Sequence, residues 1–312
     1  MEKMDKNRVL SFKGGLFLML HRKLSAILMS LGLIFLTSCE IEFVDDNSTS
    51  EDGQVKVSFI DVGQGDSILI QTDDCNVLID AGERGNSDII EQYLTQNDVQ
   101  VLNYVIGTHP HSDHIGSMSN IINDCNVEKV ILPTINDDDI PTTRIYENLL
   151  NSIANKGLKI TLANVGNTYD LGNATLEIIA PNSKDYSDLN DYSVVAILTH
   201  GDKKFLFTGD ASKTSEKEML ENNLLEDVDV LKVGHHGSNT ASSKEFIETI
   251  QPEYAVISCG EGNKYNHPNE ETLDTLQEVV PNIEIYRTDL DGTIEMVSNG
   301  TEISIEYENQ TN

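Results

Sequence analysis

Short apolar runs alternate with polar, glycine-containing turns along most of the chain. Val55–Val62 alternates apolar and polar positions with a period of two, which predicts a β-strand. Ile68–Ile70 and Asn76–Asp80 predict two more strands, and Val101–Ile106 predicts another. Ser87–Gln96 has helical spacing with Ser87 as its N-cap, so we expect a helix between the last two of these strands.

The rest of the chain continues this order of strands, loops and helices. Further strands are predicted at Val127–Leu132, Lys159–Leu162, Thr168–Leu171, Ala174–Ile179, Asp191–Leu198, Lys204–Thr208, Asp229–Val233, Tyr254–Ser258, Ile283–Arg287 and Thr293–Val297. Further helices are predicted at Ile115–Asn123, Arg144–Lys156, Ser212–Asn222, Ser243–Ile250 and Asn269–Val279. Because strands and helices alternate, both faces of each sheet are expected to be covered, as in an α/β fold.

The first part of the chain has a different pattern. Residues 1–23 are rich in Lys and Arg, and the apolar run Leu24–Leu36 leads into Leu36-Thr37-Ser38-Cys39. This order is typical of a signal peptide, and its ending resembles a lipobox. We therefore expect cleavage before Cys39, lipidation of its thiol, and an extracytoplasmic protein anchored to the membrane by that lipid. The alternatives are an ordinary signal peptide or a single anchor helix, and translation could start at Met1 or Met19.

These patterns divide the chain into four segments. We expect a lipoprotein signal peptide at residues 1–38 and a flexible tether at residues 39–54, because the tether is acidic and rich in Ser, Thr and Asn. A folded domain is expected at residues 55–306, followed by a short tail at residues 307–312.

The chain is strongly acidic, with a formal net charge of −31. This charge argues against a broad basic surface that binds nucleic acid non-specifically. It does not exclude a phosphate-containing substrate, because bound metal ions supply local positive charge. Cys75, Cys125 and Cys259 are irregularly spaced, so we expect each to pack as a small apolar residue rather than to form a disulfide framework.

The segment Thr108–His114 carries the strongest chemical signal in the sequence. It follows a predicted strand and contains three of the eight His of the chain together with an Asp. His109 and His111 are two residues apart on an extended segment, so their side chains can hold one ion together. Asp113 and His114 follow at the turn and can hold a second ion. The alternative is a polar loop that happens to be rich in His.

Three later segments add further candidate ligands at the ends of predicted strands. Asp210 follows an apolar strand, where a carboxylate can bridge two cations, although it can also be a helix N-cap. His235 and His236 lie between two Gly residues, and His267 precedes Pro268, where it could simply be a turn residue. Asp80 ends a strand before Gly82. We expect it to fix the segment Thr108–His114, called the metal loop below, by hydrogen bonding without binding metal itself.

The turn Gly63–Ser67 has two Gly residues close to Asp66. Because Gly has no side chain, these residues allow the backbone to lie close to another group in a cavity. The alternative is that the segment only forms a hairpin turn.

These motifs resemble a known family. Asp80–Gly82, His109–His114 and Thr208–Asp210 resemble the metallo-β-lactamase superfamily. More closely, the chain resembles the hydrolase domain of ComEC-type DNA-uptake proteins at Asp61–Ser67, Thr108–Gly116, Val233–Ser238 and Arg287–Asp289. The resemblance covers about residues 55–306 and implies a four-layer αββα sandwich with the metals at one edge between the two sheets.

The resemblance also implies roles for individual residues. His109 and His111 are expected to bind the first ion, and Asp113 and His114 the second. Asp210 is expected to bridge the two ions, and His267 lies about where the superfamily has its last His ligand.

One position departs from the superfamily pattern. Where most members have a further His ligand, this chain has Asn190-Asp191-Tyr192-Ser193. Asp191, His235 or His236 could complete the first site. We favour the His pair, with His235 as the ligand, and expect His236 and Asp113 to act in catalysis, His236 by protonating a leaving group or contacting phosphate.

The sequence therefore predicts a hydrolase that depends on two divalent ions, Zn²⁺ or Mn²⁺. We expect a phosphodiesterase or nuclease that uses a hydroxide between the ions to attack a phosphodiester or nucleic-acid-like substrate. The alternatives are a hydrolase of a small phosphodiester or acyl compound, such as a phosphocholine ester or a β-lactam, and a surface binding protein that keeps the fold without turnover. The sequence indicates no protein partner.

Overall fold

Two mixed β-sheets lie between layers of helices in the computed structural model, which describes residues 53–308. The predicted signal peptide, the lipidation site Cys39 and most of the tether lie outside the described residues, as do residues 309–312 of the tail. The four-layer αββα sandwich predicted from the sequence is confirmed.

The strands follow one another in short segments, most of which match predicted apolar runs. They are β1 (Val55–Phe59), β2 (Ile68–Gln71), β3 (Asn76–Ile79), β4 (Leu102–Ile106), β5 (Val127–Pro133), β6 (Ile160–Ala163), β7 (Thr168–Asp170), β8 (Thr175–Ala180), β9 (Val195–His200), β10 (Lys203–Phe207), β11 (Val230–Lys232), β12 (Tyr254–Ile257), β13 (Glu284–Arg287), β14 (Ile294–Ser298) and β15 (Ile303–Tyr307). The helices are α1 (Ser87–Gln96), α2 (Ser112–Ile115), α3 (Met118–Asp124), α4 (Arg144–Asn155), α5 (Lys213–Glu221), α6 (Lys244–Ile250), α7 (Glu270–Val279) and α8 (Thr288–Asp291).

The first sheet has eight strands in the order β15-β14-β1-β2-β3-β4-β5-β6, and the second has seven in the order β13-β12-β11-β10-β9-β8-β7. Two strands that precede candidate metal ligands run parallel to both of their neighbours. In the first sheet β4 pairs parallel with β3 and β5, and in the second sheet β11 pairs parallel with β10 and β12. The carboxyl ends of such strands are where open α/β sheets place their ligands.

The core has three apolar clusters, one for each interface between layers. The central cluster joins the two sheets, and Phe59 of β1 faces Phe207 of β10 across it with ring centroids 6.3 Å apart. The second cluster packs α1, α3 and α4 on the outer face of the first sheet. The third packs α5, α6 and α7 on the outer face of the second sheet. Both sheets are therefore buried on both faces, which agrees with their nearly continuous apolar runs.

The structure differs from the predicted elements in several places, among them helix α8, which was not predicted, and the N-cap of α1, which is Asn86 rather than Ser87. The helix predicted at Ile115–Asn123 is interrupted between Ile115 and Met118, where the N–H of Gly116 donates to the carbonyl of Gly82 at 2.9 Å. The strand predicted from Asp191 begins at Val195, since Leu189–Tyr192 forms a 3₁₀ turn. The edge strand β15 was not predicted.

Between residues 53 and 308, no helix combines the length and the apolar character needed to cross a membrane.

Candidate metal centre

The predicted ligand loops come from both sheets and meet at one end of the sandwich. Thr108–His114 follows β4 of the first sheet, whereas Asp210 follows β10 and the His235-His236 pair follows β11 of the second sheet. The backbone joins the two sides, because the N–H of Val194 donates to the carbonyl of Thr108 at 2.9 Å.

A first group of potential ligands consists of His109, His111 and Asp210. The Nε2 of His109 lies 3.0 Å from the Nδ1 of His111 and 3.7 Å from the Oδ2 of Asp210. The Nε2 of His235 lies 3.7 Å from the same carboxylate oxygen. His235 therefore stands on the side of the first group.

A second group consists of Asp113, His114 and His236. The Nε2 of His236 lies 3.4 Å from the Oδ2 of Asp113. The Oδ1 of Asp210 lies 3.2 Å from the Nε2 of His114 and 3.6 Å from the Nε2 of His236. The two oxygens of Asp210 thus face the two groups separately.

The donor atoms of the second group fit a cation. The Nε2 atoms of His114 and His236 and the Oδ1 of Asp210 are buried and have no hydrogen-bond partner within the described chain. Buried polar atoms are normally paired, so three such atoms facing one point indicate a missing ligand. A mixed set of imidazole and carboxylate donors suits zinc and manganese, and the residues present fit a divalent ion.

The imidazoles of the second group are held in one orientation by hydrogen bonds on their far sides. His114 Nδ1 lies 2.7 Å from Oδ2 of Asp80, and this carboxylate also accepts from the N–H and hydroxyl of Thr108 at 2.8 and 2.7 Å. His236 Nδ1 lies 2.9 Å from the carbonyl of Ser258, so it donates there. With both Nδ1 atoms engaged, both Nε2 atoms point into the centre. The predicted hydrogen bonds between Asp80 and the loop Thr108–His114 are present, while its exclusion from the ligands stays a prediction because Asp80 also groups with Asp66 and His114.

The turn Gly234–Gly237 presents the His pair in an uncommon backbone conformation. His235 and His236 both have left-handed dihedrals, with φ of 51° and 54°. Such conformations cost free energy in residues other than Gly and persist where the surrounding structure enforces them, which is typical of functional sites. The turn directs His235 and His236 to opposite sides of Asp210.

A buried ion pair lies behind the second group. The Nζ of Lys232 is 2.7 Å from Oδ2 of Asp66, and both side chains are at most 1 % exposed. The Oδ1 of Asp66 is 3.3 Å from the Nδ1 of His236, so the pair also contacts a candidate ligand. Burial alone would raise the pKa of Asp66, but the charges of Lys232 and His236 outweigh it and lower that pKa to about 2. Asp66 is therefore a fixed negative charge beneath the site.

Carboxylates and imidazoles in the centre shift one another's pKa. Burial alone would lower the pKa of His114, but the carboxylates of Asp210 and Asp80 raise it well above its ordinary value. Burial alone would also lower the pKa of His236. The carboxylates of Asp210 and Asp66 outweigh burial and raise that pKa to about 10. Carboxylates that stabilise protons on neighbouring imidazoles also stabilise a cation that replaces those protons.

Gly65 explains how the turn that carries Asp66 reaches the metal loop. A Cβ at Gly65 would lie 2.4 Å from the carbonyl oxygen of Asp113, and the φ of Gly65 is 139°. The N–H of Asp66 donates to that same carbonyl at 3.0 Å. The close approach predicted for this turn is therefore to the backbone of the metal loop rather than to a ligand.

Asp191 and His267 do not join either group. Asp191 is buried and its Oδ1 accepts from the N–H and hydroxyl of Ser212 at 3.2 and 2.6 Å, at the start of α5. His267 is half-buried, and its ring stands 6.4 Å from that of His236 between centroids. It lines a cavity of about 290 Å³ over the centre, together with Asp113, Asp210 and His235.

Sequence reasoning gave Asp66 no role beyond its turn and missed Lys232. Lys232 lies within the apolar run Val230–Val233, where a charged residue on a fully buried strand requires a partner. That pattern was the available signal, although it does not identify Asp66 as the partner.

Comparisons with known proteins give the same picture. Residues 60–261 match the family model described as the metallo-beta-lactamase superfamily. The chain is 30% identical over 260 residues to "ComE operon protein 3" of Bacillus subtilis (strain 168), covering 77% of this chain and 32% of that protein. It is 28% identical over 295 residues to "Competence protein ComA" of Neisseria gonorrhoeae, covering 92% of this chain and 38% of that protein. The chain thus spans about a third of the length of these relatives.

Among solved structures, a mutant of CmlA beta-hydroxylase superposes with a TM-score of 0.51 at 13% identity, covering 78% of this chain and 53% of that one. A likeness at this identity shows the fold alone.

Proposed function

The chain belongs to the metallo-beta-lactamase superfamily, and from its site we propose that it is a hydrolase of phosphodiesters that depends on two divalent ions. The membership and the similarity to competence proteins confirm the resemblance expected from the sequence. The superfamily supports a metal-dependent hydrolase, and the choice of phosphodiesters as substrates is our proposal.

The observation that carries the proposal is the position of Asp210 between two groups of ligands. Its Oδ2 faces His109, and its Oδ1 faces His114 and His236. A carboxylate that offers one oxygen to each of two adjacent sites can hold two cations close together. When bound, such a pair lowers the pKa of a shared water and offsets the charge that develops on a phosphoryl group.

We assign the residues as follows. His109, His111 and His235 hold the first ion, Asp113, His114 and His236 hold the second, and Asp210 bridges them. His236 takes the ligand role in place of His267 because its Nε2 lies 3.4 Å from Oδ2 of Asp113 and 3.6 Å from Oδ1 of Asp210. Its Nδ1 donates to Ser258, so it is a poor candidate for moving a proton.

His267 is assigned to the substrate instead. It lines the cavity over the centre, and its pKa is lowered to about 4 because burial and the neighbouring charges of His236 and His235 disfavour protonation. A neutral imidazole there can donate one hydrogen bond to a phosphoryl oxygen.

A small phosphodiester is a second candidate substrate. The chain carries a net charge of −31, which repels a long polyanion at low ionic strength. Similarity to proteins named for competence favours nucleic acid. A surface binding protein without turnover is the third possibility, and metal content together with turnover separates it from a hydrolase.

The test is hydrolysis of bis-p-nitrophenyl phosphate and of single-stranded DNA by the purified protein with Zn²⁺ or Mn²⁺. We expect turnover by the wild type and a loss of at least about 100-fold in His109→Ala, since removing a ligand weakens metal binding and activity. His200→Ala is the matched control, because His200 is also buried but contacts Ser298 away from the centre. Equal rates for wild type and His109→Ala would contradict the proposal.

The cellular location of the protein is proposed from the sequence alone. We infer that residues 1–38 are a lipoprotein signal peptide, that residues 39–54 tether the folded domain, and that a lipid on Cys39 anchors the protein outside the cytoplasmic membrane. Fractionation of cells that express wild type or Cys39→Ala tests this, with the variant expected to leave the membrane fraction. Membrane retention of the variant would contradict lipid anchoring.

A further inference from the structure

A second cavity adjoins the one over the metal centre. It has a volume of about 450 Å³ and is lined in part by Gln64, Arg84, Lys264 and Tyr265. Gln64, Asp113 and Tyr265 line both cavities, so the two lie side by side. A substrate that is cleaved at the centre and is larger than the first cavity therefore extends into the second, which we call the flanking pocket.

The flanking pocket carries two cationic side chains that have no ionic partner. Arg84 and Lys264 are exposed, and neither has a carboxylate within 4.0 Å of its charged group in the described part of the chain. By contrast, Lys203 and Lys204 are each paired with an acidic side chain. Two such cations on the wall of one cavity beside the candidate metal centre are positioned to contact an anionic group.

Two acidic residues, Glu83 and Asp113, also line the flanking pocket, and each carboxylate has other partners, Asp113 facing the Nε2 of His236 at 3.4 Å. Glu83 accepts from the hydroxyl of Ser112 at 2.9 Å through Oε2, and from the N–H of Arg84 at 3.2 Å through Oε1. Its carboxylate is thus engaged with the loop that it belongs to and with the start of α2. The guanidinium of Arg84 remains available to a ligand.

An exposed aromatic ring stands where the two cavities join. Tyr265 is 48% exposed, and it is the one aromatic residue among the large exposed hydrophobic residues of the described chain. Its ring stacks on the imidazole of His267 with centroids 5.6 Å apart and an interplanar angle of 24°. The Nζ of Lys264 lies 4.8 Å from the ring centroid. A ring supported in this way, beside cations, is the arrangement with which proteins bind single-stranded nucleic acid.

We propose that the flanking pocket binds the nucleotide next to the scissile phosphodiester of a single-stranded nucleic acid, with Arg84 and Lys264 on its phosphate and Tyr265 against its base. The inference rests on the proposed phosphodiesterase function and names the substrate class for it. A small phosphodiester with neither a second phosphate nor a ring would leave the pocket unused. Because every base has a stacking face, the pocket selects single strands without selecting sequence.

Binding can be tested separately from hydrolysis. The probe is a fluorescein-labelled phosphorothioate oligothymidylate, titrated with the full chain in the presence of Mn²⁺ and followed by anisotropy. We expect Tyr265→Ala to bind about tenfold more weakly and Tyr265→Phe to bind within about twofold of wild type, since stacking needs the ring and not the hydroxyl. Arg84→Ala and Lys264→Ala should each reduce the slope of log affinity against log salt by about 0.7.

Arg144→Ala is the matched control for the two cation variants. Arg144 is also exposed and also has no ionic partner among the described residues, but it starts α4 and does not line either cavity. We expect its affinity and salt slope to match those of wild type. An equal loss of affinity in Arg144→Ala would show that the oligonucleotide is attracted to any surface cation. That result would overturn the assignment of the flanking pocket as its binding site.

The remaining outcomes separate this inference from the proposed function. Absence of any hydrolysis by wild type contradicts the phosphodiesterase, while the binding data still decide the pocket. Wild-type binding by all of the Arg84, Lys264 and Tyr265 variants overturns the pocket even if hydrolysis is observed. A loss in the cation variants without a loss in Tyr265→Ala overturns the contact of Tyr265 with a base, because the pocket would then hold only the phosphate backbone.

Discussion

The ammonium of Lys232 and the carboxylate of Asp66 form an ion pair of 2.7 Å beneath the candidate metal centre, and water reaches neither group. Lys232 also donates to the carbonyl of Val233 at 3.0 Å. Asp66 in turn contacts the Nδ1 of His236 at 3.3 Å. The pair therefore connects the central strand β11 to the orientation of a proposed ligand.

Removing one member of this pair leaves a buried charge without its partner. We expect Lys232→Met to lower the free energy of unfolding by about 3 kcal/mol, as measured by urea denaturation in the presence of EDTA. The double variant Lys232→Met/Asp66→Asn should lose less than Lys232→Met alone, because no unpaired charge remains.

Lys203→Met is the control for that comparison. The Nζ of Lys203 lies 2.8 Å from Oδ1 of Asp229, close to the distance in the Lys232–Asp66 pair, but about a fifth of each side chain is exposed. Its loss should cost about 1 kcal/mol or less. Similar losses in the Lys203 and Lys232 variants would contradict a special contribution from burial.

The low pKa of Asp66 predicts how this stability depends on pH. Its folded pKa of about 2 lies below the ordinary value of 3.8 for an Asp side chain, so the ionised carboxylate contributes stability above about pH 4. That contribution is lost as the pH falls from 4 towards 2. The stability difference between wild type and Asp66→Asn, measured by urea denaturation across this range, should therefore shrink with falling pH, and a constant difference would contradict the ion pair.

Asp80 should control metal affinity without being a ligand. It accepts hydrogen bonds from Thr108 and holds the Nδ1 of His114. We expect Asp80→Asn to weaken metal binding about 10- to 100-fold, measured by competition with a chelating dye. Asp191→Asn is the matched control, a buried carboxylate bound to Ser212, and should leave affinity within about twofold. The reverse pattern would make Asp191 the missing ligand.

Metal stoichiometry distinguishes the two candidate ligands of the second ion. We expect wild type and His267→Ala to retain close to two ions per chain after dialysis, and His236→Ala to retain about one, since only His236 lies within reach of Asp113. Asp210→Asn should lose both, because its oxygens serve both groups. Elemental analysis of the dialysed proteins measures this, and loss of an ion from His267→Ala alone would reverse the assignment.

Much of the fold could be predicted because its elements carry local signals. Ser87–Gln96 has the bounds predicted from its spacing, and β4 starts one residue after the predicted Val101. Gly116 shows what local signals lack: its dihedrals suit a helix, but its N–H donates to the carbonyl of Gly82, which is distant in sequence. Edge strand β15 alternates apolar and polar residues strictly over Ile303–Tyr307, so its local signal was available although it was not predicted, and it pairs with β14.

The site could be predicted only as a set of candidates. The spacing of His109, His111, Asp113 and His114 indicates a metal site by itself. His235 and His236 face different ligand groups because both residues have left-handed dihedrals. No pattern in the sequence encodes those dihedrals. Lys232 is visible as an anomaly, but its partner is known only once the turn at Asp66 is placed.

The division of the ligands between the two sheets has a consequence for assembly. His109 and Asp210 are separated by on the order of a hundred residues of chain, so an ion that joins them acts as a removable crosslink between the halves of the sandwich. Neither half carries a complete coordination sphere. With the proposed ligand set, we expect full loading only after the two sheets have docked, so that retention of both ions would report a closed sandwich.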